Sequence, residues 1–322
     1  MEVLYLNEAD VGQLLSMETA LAAVEEGMRH WAAGTAVNQS RQRLAVPPKT
    51  YLHYMAAAEF VRGYFGMKLY TAAPTGIRFL VPLYRAETGE LLALLEADRL
   101  GCVRTGAASG LATRYLARAD ATRVGILGTG HQAPTQLEAI AAVRRIQCVR
   151  VYSRDPARRQ KFARAMTDSL GIEVEAVDSA EQAVREAAIV ITVTTARAPV
   201  LRGEWLAAGT HLNAVGANFP QRRELDDVTL ARVSRLVVDS REQSQREAGD
   251  LIIPFTRDPH RWEQVDELHQ VITDARPGRR NQDEITLFKS NGIALWDVAT
   301  AARVYELAQA RGVGRKLPMW VS

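Results

Sequence analysis

The stretch Val124-Gly125-Ile126-Leu127-Gly128-Thr129-Gly130-His131-Gln132-Ala133 decides the fold of this chain. Its apolar start predicts a buried strand, and the glycine-rich turn predicts the entry into a helix that leads to a second strand at 149–152. Gly128 allows the tight turn, Gly130 lets a pyrophosphate approach the backbone, and Ala133 lets the helix pack closely on the strand. The free amides at the helix start would hold the phosphates. The stretch therefore predicts a βαβ unit that binds a dinucleotide.

The chain around this unit alternates short apolar runs with helical stretches. The runs that predict strands lie at 124–127, 149–152, 174–177, 189–194, 211–216, 236–239 and 286–290. The stretches with helical spacing that separate several of them lie at 132–145, 156–168 and 179–187. This alternation is typical of a parallel sheet with helices on both faces. We therefore predict an α/β fold in which a Rossmann-type doubly wound parallel sheet forms a dinucleotide-binding domain at 120–296.

The remaining residues predict a smaller α+β domain for substrate binding. Apolar positions at helical spacing predict one or two amphipathic helices at 8–33. Short runs rich in aromatic and β-branched residues, broken by turn residues, predict a mostly antiparallel sheet at 43–96. A last helix at 297–310 is expected to return to this domain, which we assign to 1–119 plus 297–322.

Composition indicates an ordinary globular protein and argues against several function classes. The chain has 322 residues, of which 47% are hydrophobic and 24% charged. It contains no apolar run of membrane-spanning length, so we expect no membrane partner and a cytoplasmic location. Basic and acidic residues are interleaved at a net charge of +3, which gives nucleic-acid binding little support. Cys102 and Cys148 lack metal-ligand spacing, so no metal site is expected.

The end of the second strand bears on the choice of cofactor. An NAD site usually places Asp or Glu there to bind the ribose 2′-hydroxyl, whereas this chain has Ser153-Arg154-Asp155 followed by Arg158 and Arg159. Serine and arginine suit a 2′-phosphate, and a carboxylate would repel it. We therefore expect NADPH rather than NADH, with contacts from Ser153, Arg154 and Arg158. Asp155 is the acidic residue of an NAD site if the strand ends later, and only one of the two later arginines is expected to point inward.

Three cations in the first domain point to an anionic substrate. Lys68 lies in an apolar, strand-like run, where a lysine is unfavourable unless it meets an anion or reaches solvent at a strand end. Arg43 and Arg104 offer planar forks that match a carboxylate. The alternative for Arg104 is a salt bridge with Asp98 or Glu96. Together with a nicotinamide domain, these cations predict an anionic substrate that exchanges hydride.

The chain resembles the ornithine cyclodeaminase and mu-crystallin family over nearly its whole length and in one order of motifs. The residues that carry the resemblance are Arg43 ahead of Val46-Pro47, Gly66-Met67-Lys68, Glu96-Ala97-Asp98, Arg104-Thr105-Gly106-Ala107-Ala108-Ser109, the glycine-rich turn, His211-Leu212-Asn213-Ala214-Val215-Gly216-Ala217-Asn218, and Lys289-Ser290-Asn291-Gly292 before Asp297. The resemblance implies a homodimer built by the first domain and a site between the domains. It also implies a pocket of Arg43, Lys68 and Arg104 for an amino-acid carboxylate.

One departure from the family bears on the reaction. Its cyclodeaminases place an aspartate after Val-Gly-Gly or Val-Gly-Ala to handle the substrate amine and water, and this sequence has Asn218 there. An amide cannot act as a general base at neutral pH, which disfavours full cyclodeamination. The alternative is that Glu224 or Asp226 supplies the carboxylate. Family members without the aspartate resemble ketimine reductases.

The sequence therefore favours an oxidoreductase that reduces the C=N bond of a cyclic or open-chain 2-imino acid with NADPH, or runs the reverse amino-acid dehydrogenation. Lys68 and Asn218 are the predicted catalytic residues, by assisting protonation directly or through a water. An ornithine or lysine cyclodeaminase with recycled NAD and a non-catalytic, crystallin-like NADP-binding protein are the two alternatives. The residues expected to bind the cofactor are Thr105, Gly128, Thr129, Gly130, His131, Gln132, Ala133, Ser153, Arg154, Arg158, Thr194, Val215 and Gly216.

Overall fold

The computed structural model describes residues 2–320, which form an α/β fold. The strands are β1 (Glu2–Leu6), β2 (Ala36–Asn38), β3 (Gln42–Val46), β4 (Thr50–Glu59), β5 (Tyr64–Ala73), β6 (Gly76–Arg85), β7 (Leu91–Glu96), β8 (Arg123–Leu127), β9 (Cys148–Tyr152), β10 (Glu173–Ala176), β11 (Ile189–Thr192), β12 (His211–Ala214), β13 (Arg235–Val238), β14 (Asp266–Glu267), β15 (Thr286–Lys289) and β16 (Arg315–Pro318). The α-helices are α1 (Glu8–Leu14), α2 (Met17–Ala32), α3 (Asp98–Leu116), α4 (Ala133–Val143), α5 (Pro156–Leu170), α6 (Ala180–Val184), α7 (Asp227–Arg232), α8 (Arg241–Glu247), α9 (Gly249–Phe255), α10 (Leu268–Ile272) and α11 (Ala294–Arg311).

The chain divides into two compact units. Unit 1 runs to Ala107 and resumes at Gly292, and unit 2 is Ala108–Asn291. The first division falls inside α3, whereas the expected boundary at residue 120 lies beyond the end of that helix. The second division precedes α11, so the whole helix belongs to unit 1, and the expected boundary at residue 297 would have cut it. The roles assigned to the two domains remain predictions.

Unit 1 contains a sheet in the order β16-β1-β7-β6-β5-β4-β2, with β3 also paired to β4. Its neighbours are antiparallel except for the parallel pair β1 and β7. Helix α11 packs against α2 and against β4, β5 and β6. The predicted N-terminal helices are present, and Ser16 caps α2 by accepting a hydrogen bond of 3.1 Å from the Thr19 amide.

The two faces of the central strands in unit 1 differ in burial. On β4, the side chains of His53 and Met55 are buried, whereas Tyr54 between them is 41% exposed. Tyr54 pairs in register with Leu69 of β5, which pairs with Leu80 of β6, so an apolar row crosses three strands on the outer face. The inner face carries the buried polar side chains described below.

Unit 2 is a sheet of eight parallel strands in the order β10-β9-β8-β11-β12-β15-β13-β14. Strands form at all seven predicted runs, and the structure adds the two-residue strand β14. Alternate residues of β11 enter different cores, since Ile189 and Ile191 pack in one and Val190 in the other. Burial on both faces explains why the runs are almost continuously apolar. The strand order reverses between β8 and β11, which confirms the predicted doubly wound, Rossmann-type sheet.

Candidate active site

The glycine-rich turn has the geometry that its sequence predicts. Gly128 adopts a φ of +112°, and a Cβ atom there would lie 2.5 Å from the carbonyl oxygen of Val193, so only glycine fits. A Cβ atom at Gly130 would meet nothing within 4 Å, which leaves the backbone open to an approaching group. Helix α4 begins directly after the turn with the fully buried Ala133. The turn therefore leaves room for phosphates at the helix start.

A cavity of about 930 Å³ opens at the carboxyl ends of β8, β9 and β11. The predicted cofactor residues that line it are Gly128, Thr129, Gly130, Ser153, Arg154, Arg158 and Thr194. Those that do not line it are His131, Gln132, Ala133, Val215 and Gly216 in unit 2, and Thr105 in unit 1. Its position at the point where the strand order reverses is the usual ligand site of a doubly wound sheet.

The β9 end of this cavity is rich in arginine. Arg154 and Arg158 line this end, and Arg197, which follows β11 and which the sequence interpretation missed, also lines the cavity. Asp155 also lines the cavity, but its carboxylate caps α5 through the Arg158 amide at 3.1 Å and lies 3.4 Å from Arg158 Nε. Of Arg158 and Arg159, the side chain that is buried in the protein is that of Arg159, which is 8% exposed, whereas Arg158 lines the cavity.

Unit 1 holds a buried group that we call the Asp297 cluster, namely Lys68, Arg104 and Asp297. Lys68 Nζ and Arg104 Nε each lie 3.0 Å from Asp297 Oδ1. Lys68 is 3% exposed, Arg104 4% and Asp297 0%. Among residues 2–320, Asp297 Oδ2 and Arg104 Nη1 have no hydrogen-bond partner although both atoms are buried. The cluster therefore has two cations for one anion and two unmatched polar atoms.

Two alternatives left open by the sequence are resolved by these contacts. Lys68 lies within β5 rather than at a solvent-exposed strand end, and it pairs in register with the buried Met55. The carboxylate bound by Arg104 is that of Asp297 and not that of Asp98 or Glu96. Sequence proximity suggested the wrong partner because the true one lies 193 positions away on α11.

The surroundings of Lys68 change its acidity. The pKa of Lys68 is lowered to about 8, chiefly by burial, which Asp297 opposes and which the positive charges of Arg104 and Arg41 reinforce. The ammonium also lies 4.9 Å from the centroid of the Phe79 ring. A lysine with this pKa can both donate and accept a proton near neutral pH.

Arg41 is a functional candidate that the sequence interpretation missed. It is 7% exposed, and its Nη2 donates a hydrogen bond of 3.1 Å to the Gly292 carbonyl. The predicted Arg43 is half-buried on β3 and pairs in register with His53. Burial, then Arg43, then Arg41 lower the pKa of His53 to about 4, so this histidine is neutral at physiological pH. The signal that could have identified Arg41 is its spacing of two residues from Arg43, because side chains two positions apart in an extended segment point to the same face.

The structure disfavours Glu224 and Asp226 as substitutes for the missing aspartate. The Glu224 carboxylate is fully buried and accepts hydrogen bonds from Thr192, Thr194, Gly216 and Ala217. Asp226 caps α7 through the Thr229 amide at 2.7 Å and also accepts from the Gly203 amide at 3.0 Å. Both carboxylates are engaged in holding backbone, so neither is available as a general base. Asn218 lies half-buried in the segment after β12.

Two features identify the class of protein, namely the doubly wound sheet with its glycine-rich turn and the buried cationic cluster of unit 1. Together they are typical of an oxidoreductase that binds a dinucleotide. The sequence profile described as "Ornithine cyclodeaminase/mu-crystallin family" matches residues 1–312. The chain belongs to this family, which confirms the resemblance seen in its motifs.

Similar proteins extend over the full chain. The Delta(1)-pyrroline-2-carboxylate reductase of Bacillus cereus is 35% identical over 98% of this chain and 99% of its own. A solved structure of the Thermococcus litoralis Delta(1)-pyrroline-2-carboxylate reductase, in complex with NADH and L-proline, has a TM-score of 0.94 at 37% identity and covers 98% of this chain and 100% of that one. An archaeal alanine dehydrogenase, solved as a dimer with bound NAD, has a TM-score of 0.93 at 35% identity and covers 99% of this chain and 100% of that one.

No helix among residues 2–320 combines the length and the apolar character needed to cross a membrane.

Proposed function

We propose that this protein is an NADPH-dependent reductase that converts the C=N bond of a 2-imino acid into an amino acid, and that also catalyses the reverse oxidation. The observation that carries the proposal is the Asp297 cluster, which is buried, has excess positive charge and contains an unmatched guanidinium nitrogen. A buried donor without a partner is unfavourable, so the cluster is suited to receive an anionic ligand group. Relatives named for imine reduction and amino-acid dehydrogenation support the same chemistry.

The substrate carboxylate would be held by Arg43, Lys68 and Arg104. Arg104 Nη1 provides a donor that no described residue uses, and the planar guanidinium matches the geometry of a carboxylate. Arg41 contributes positive charge near Lys68. Holding the carboxylate in this way fixes the orientation of the neighbouring imine carbon, which is where most of the rate enhancement would arise.

The residues of unit 2 fit a nicotinamide dinucleotide. Gly130 leaves the backbone of the turn open, α4 begins after it, and the cavity has space and cationic walls. When bound, the reduced nicotinamide supplies the hydride that the imine carbon accepts. The imine nitrogen takes up a proton, for which Lys68 is the donor, either directly or through a water held by Asn218. The pKa of about 8 keeps most of Lys68 protonated at neutral pH and lets it release the proton readily.

The preference for NADPH over NADH is part of the proposal. Arg154 and Arg158 of the segment after β9 line the cavity, and Ser153 occupies the place at which NAD sites usually have a carboxylate. Asp155 is the residue that would favour NADH, but its carboxylate lies 3.4 Å from Arg158 Nε and accepts a hydrogen bond from the Arg158 amide as the cap of α5. Arginine is well suited to bind a 2′-phosphate by bidentate hydrogen bonds.

A homodimer is also part of the proposal. Nine of the twelve large hydrophobic side chains that are exposed among the described residues lie between Val37 and Leu80, in unit 1. They include Tyr54 and Leu80 of the apolar row on the outer face of the sheet. Such a concentration of exposed apolar side chains in one unit supports an interface there, and the archaeal relative was solved as a dimer. Light scattering of the purified protein would test this point.

The decisive experiment follows cofactor oxidation against a panel of imines. NADPH and NADH are compared with Delta(1)-pyrroline-2-carboxylate, with pyruvate plus methylamine and with pyruvate plus ammonia. We expect oxidation with at least one imine and a higher kcat/KM with NADPH than with NADH. Ammonia release from L-ornithine without net cofactor turnover would support the cyclodeaminase instead, and tight NADPH binding without any oxidation would support a binding protein.

A further inference from the structure

A second buried charged group, which we call the Glu224 cluster, consists of Glu224, Asp250 and Lys289 in unit 2. The Glu224 carboxylate is completely buried and accepts hydrogen bonds from two segments of backbone. From the end of β11 it receives the Thr192 hydroxyl at 3.0 Å and the amide and hydroxyl of Thr194 at 2.7 and 2.8 Å. From the segment after β12 it accepts hydrogen bonds from the Gly216 and Ala217 amides at 2.8 and 3.2 Å.

The other two members of the cluster hold Glu224 and the β12 segment. Asp250 Oδ1 accepts from the Glu224 and Leu225 amides at 2.7 and 3.0 Å, so it fixes the backbone that carries the Glu224 side chain. Lys289 Nζ donates to the carbonyls of Ala214 and Ala217 at 3.2 and 2.6 Å and lies 3.5 Å from Asp250 Oδ2.

The two segments meet directly through Glu224. A Cβ atom on Gly216 would lie 2.2 Å from the Thr194 carbonyl oxygen and 2.5 Å from Glu224 Oε1, so residue 216 must be glycine for this approach. Removing three charged side chains from water is expensive, and well-packed apolar residues would give comparable stability. What an apolar side chain could not provide is a set of acceptors that fixes the spacing between two loops.

The strand order shows which half of a dinucleotide these loops would serve. Ser153 and Arg154 follow β9 on one side of β8, whereas Gly216 follows β12 on the other side, beyond β11. In a doubly wound sheet the two halves of the dinucleotide bind on opposite sides of the point where the strand order reverses. The β11 and β12 segments therefore belong to the half opposite to the 2′-phosphate, which is the nicotinamide half.

We propose that Glu224 is a positioning residue that sets the distance between the β11 and β12 segments and thereby the binding of the nicotinamide half of the cofactor. This inference rests on the proposed function, because it assumes a nicotinamide dinucleotide in unit 2. Glu224 acts through Thr194 and Gly216 and does not itself contact the reacting atoms.

The test compares a whole cofactor with its adenosine fragment. Glu224→Gln keeps the shape of the side chain but replaces one of its two acceptor oxygens with an NH2 group that faces donors, so part of the set of donors from the two segments loses its acceptor. We expect the Kd of NADPH to rise about tenfold, since loss of a buried charge-assisted hydrogen bond has about this effect, while the Kd of 2′,5′-ADP stays within about twofold. NADH with ADP serves as a second pair, so the outcome does not depend on the cofactor preference.

Two further variants keep the inference testable. Asp226→Asn removes a nearby carboxylate that caps α7 but does not touch the two segments, and we expect no difference between cofactor and fragment. Thr192→Val provides a test should Glu224→Gln fail to fold, because it removes a single hydroxyl donor to Glu224 at a residue outside the cavity. We expect it to raise the Kd of NADPH about threefold. If Glu224→Gln weakens the binding of cofactor and fragment equally, or weakens neither, the inference about Glu224 is wrong while the proposed function stands. Wild-type protein that binds none of the four probes would overturn the proposed function as well.

Discussion

The Asp297 cluster in unit 1 and the Glu224 cluster in unit 2 are both buried ionic groups, but they differ in what their polar atoms contact. In the Glu224 cluster the carboxylates and the ammonium hold backbone amides and carbonyls of the same unit. In the Asp297 cluster Arg104 Nη1 and Asp297 Oδ2 have no hydrogen-bond partner among the described residues, whereas the corresponding atom of the Glu224 cluster is Asp250 Oδ2, which lies 3.5 Å from Lys289 Nζ. Because an unmatched buried donor is unfavourable, Arg104 Nη1 indicates a ligand, whereas the Glu224 cluster leaves no described donor unmatched and so indicates a structural support.

The charge balance of the two clusters leads to the same distinction. Lys68 and Arg104 share the single carboxylate of Asp297, so the cluster of unit 1 lacks an anion that a substrate could supply. The cluster of unit 2 has two carboxylates for Lys289, and backbone amides offset the extra negative charge. Burial and the Asp250 carboxylate nevertheless raise the pKa of Glu224 above its ordinary range, while Lys289 and Thr194 lower it. One cluster is therefore arranged for a ligand and the other for the protein itself.

The largest effect is expected from Lys68→Met, which removes the proton donor and one cation of the Asp297 cluster. We expect kcat for imine reduction to fall about 10³-fold, the usual size of a general-acid contribution, while the Kd of NADPH remains unchanged because the proposed cofactor site lies in unit 2. Steady-state kinetics and a fluorescence titration measure the two quantities. Lys49→Met, on an exposed turn, is the matched control and should leave both unchanged. Wild-type turnover by the Lys68 variant would remove this lysine from the mechanism.

A pair of variants tests whether one cluster awaits a ligand and the other does not. Asp297→Asn removes the carboxylate that Lys68 and Arg104 share, and Asp250→Asn removes the carboxylate that lies 3.5 Å from Lys289 Nζ, so each should lower the free energy of unfolding by about 3 kcal/mol. Pyrrole-2-carboxylate, a planar anion, should restore part of the loss in Asp297→Asn but none in Asp250→Asn, because only unit 1 is expected to bind it. Urea unfolding with and without this compound gives the comparison. Equal recovery in the two variants would contradict the distinction.

The sequence was most informative where one residue type satisfies a local requirement. Gly128 must adopt a positive φ and pack against the Val193 carbonyl, and the runs of unit 2 must be apolar on both faces. Such requirements are visible in a few adjacent residues, which is why the turn and the seven strands could be predicted. Local sequence context also identified Lys68 and Arg104 as cations suited to an anion, and the family resemblance then implied that they share a carboxylate pocket with Arg43.

The partners of those cations could not be predicted from neighbouring residues. Lys68 and Asp297 are 229 positions apart, and no spacing rule connects a strand residue to a helix residue at that distance. The Glu224 cluster was missed for the same reason, because Glu224, Asp250 and Lys289 come from separate segments that only the parallel sheet brings together. Local patterns predict backbone conformation, whereas ionic clusters arise from tertiary packing.

A smaller effect is expected when the pH is varied, and it concerns the Asp297 cluster alone. With a pKa of about 8, Lys68 loses its proton as the pH rises, so the reduction rate should fall about tenfold per pH unit above that value. The reverse oxidation needs the neutral amine and should rise up to the same pH before it levels off. Because the folded-state pKa lies below the ordinary value of 10.5, stability should also rise between about pH 8 and 10.5. A reduction rate that is flat across this range would contradict the role of Lys68.

The smallest effect is expected from Asn218→Asp, on the segment that the Glu224 cluster holds after β12. A carboxylate at this position can act as a general base, which the amide cannot, so we expect slow release of ammonia from L-ornithine in the presence of NAD. Imine reduction should fall by less than about tenfold, because Lys68 remains in place. Asn218→Ala is the matched control, since it removes the amide without adding a base, and it should release no ammonia. Adding Glu224→Gln to Asn218→Asp should abolish the new activity, because the carboxylate would no longer be held by a fixed segment. Ammonia release from the wild-type protein, or its absence from Asn218→Asp with imine reduction intact, would show that residue 218 does not separate the two reactions.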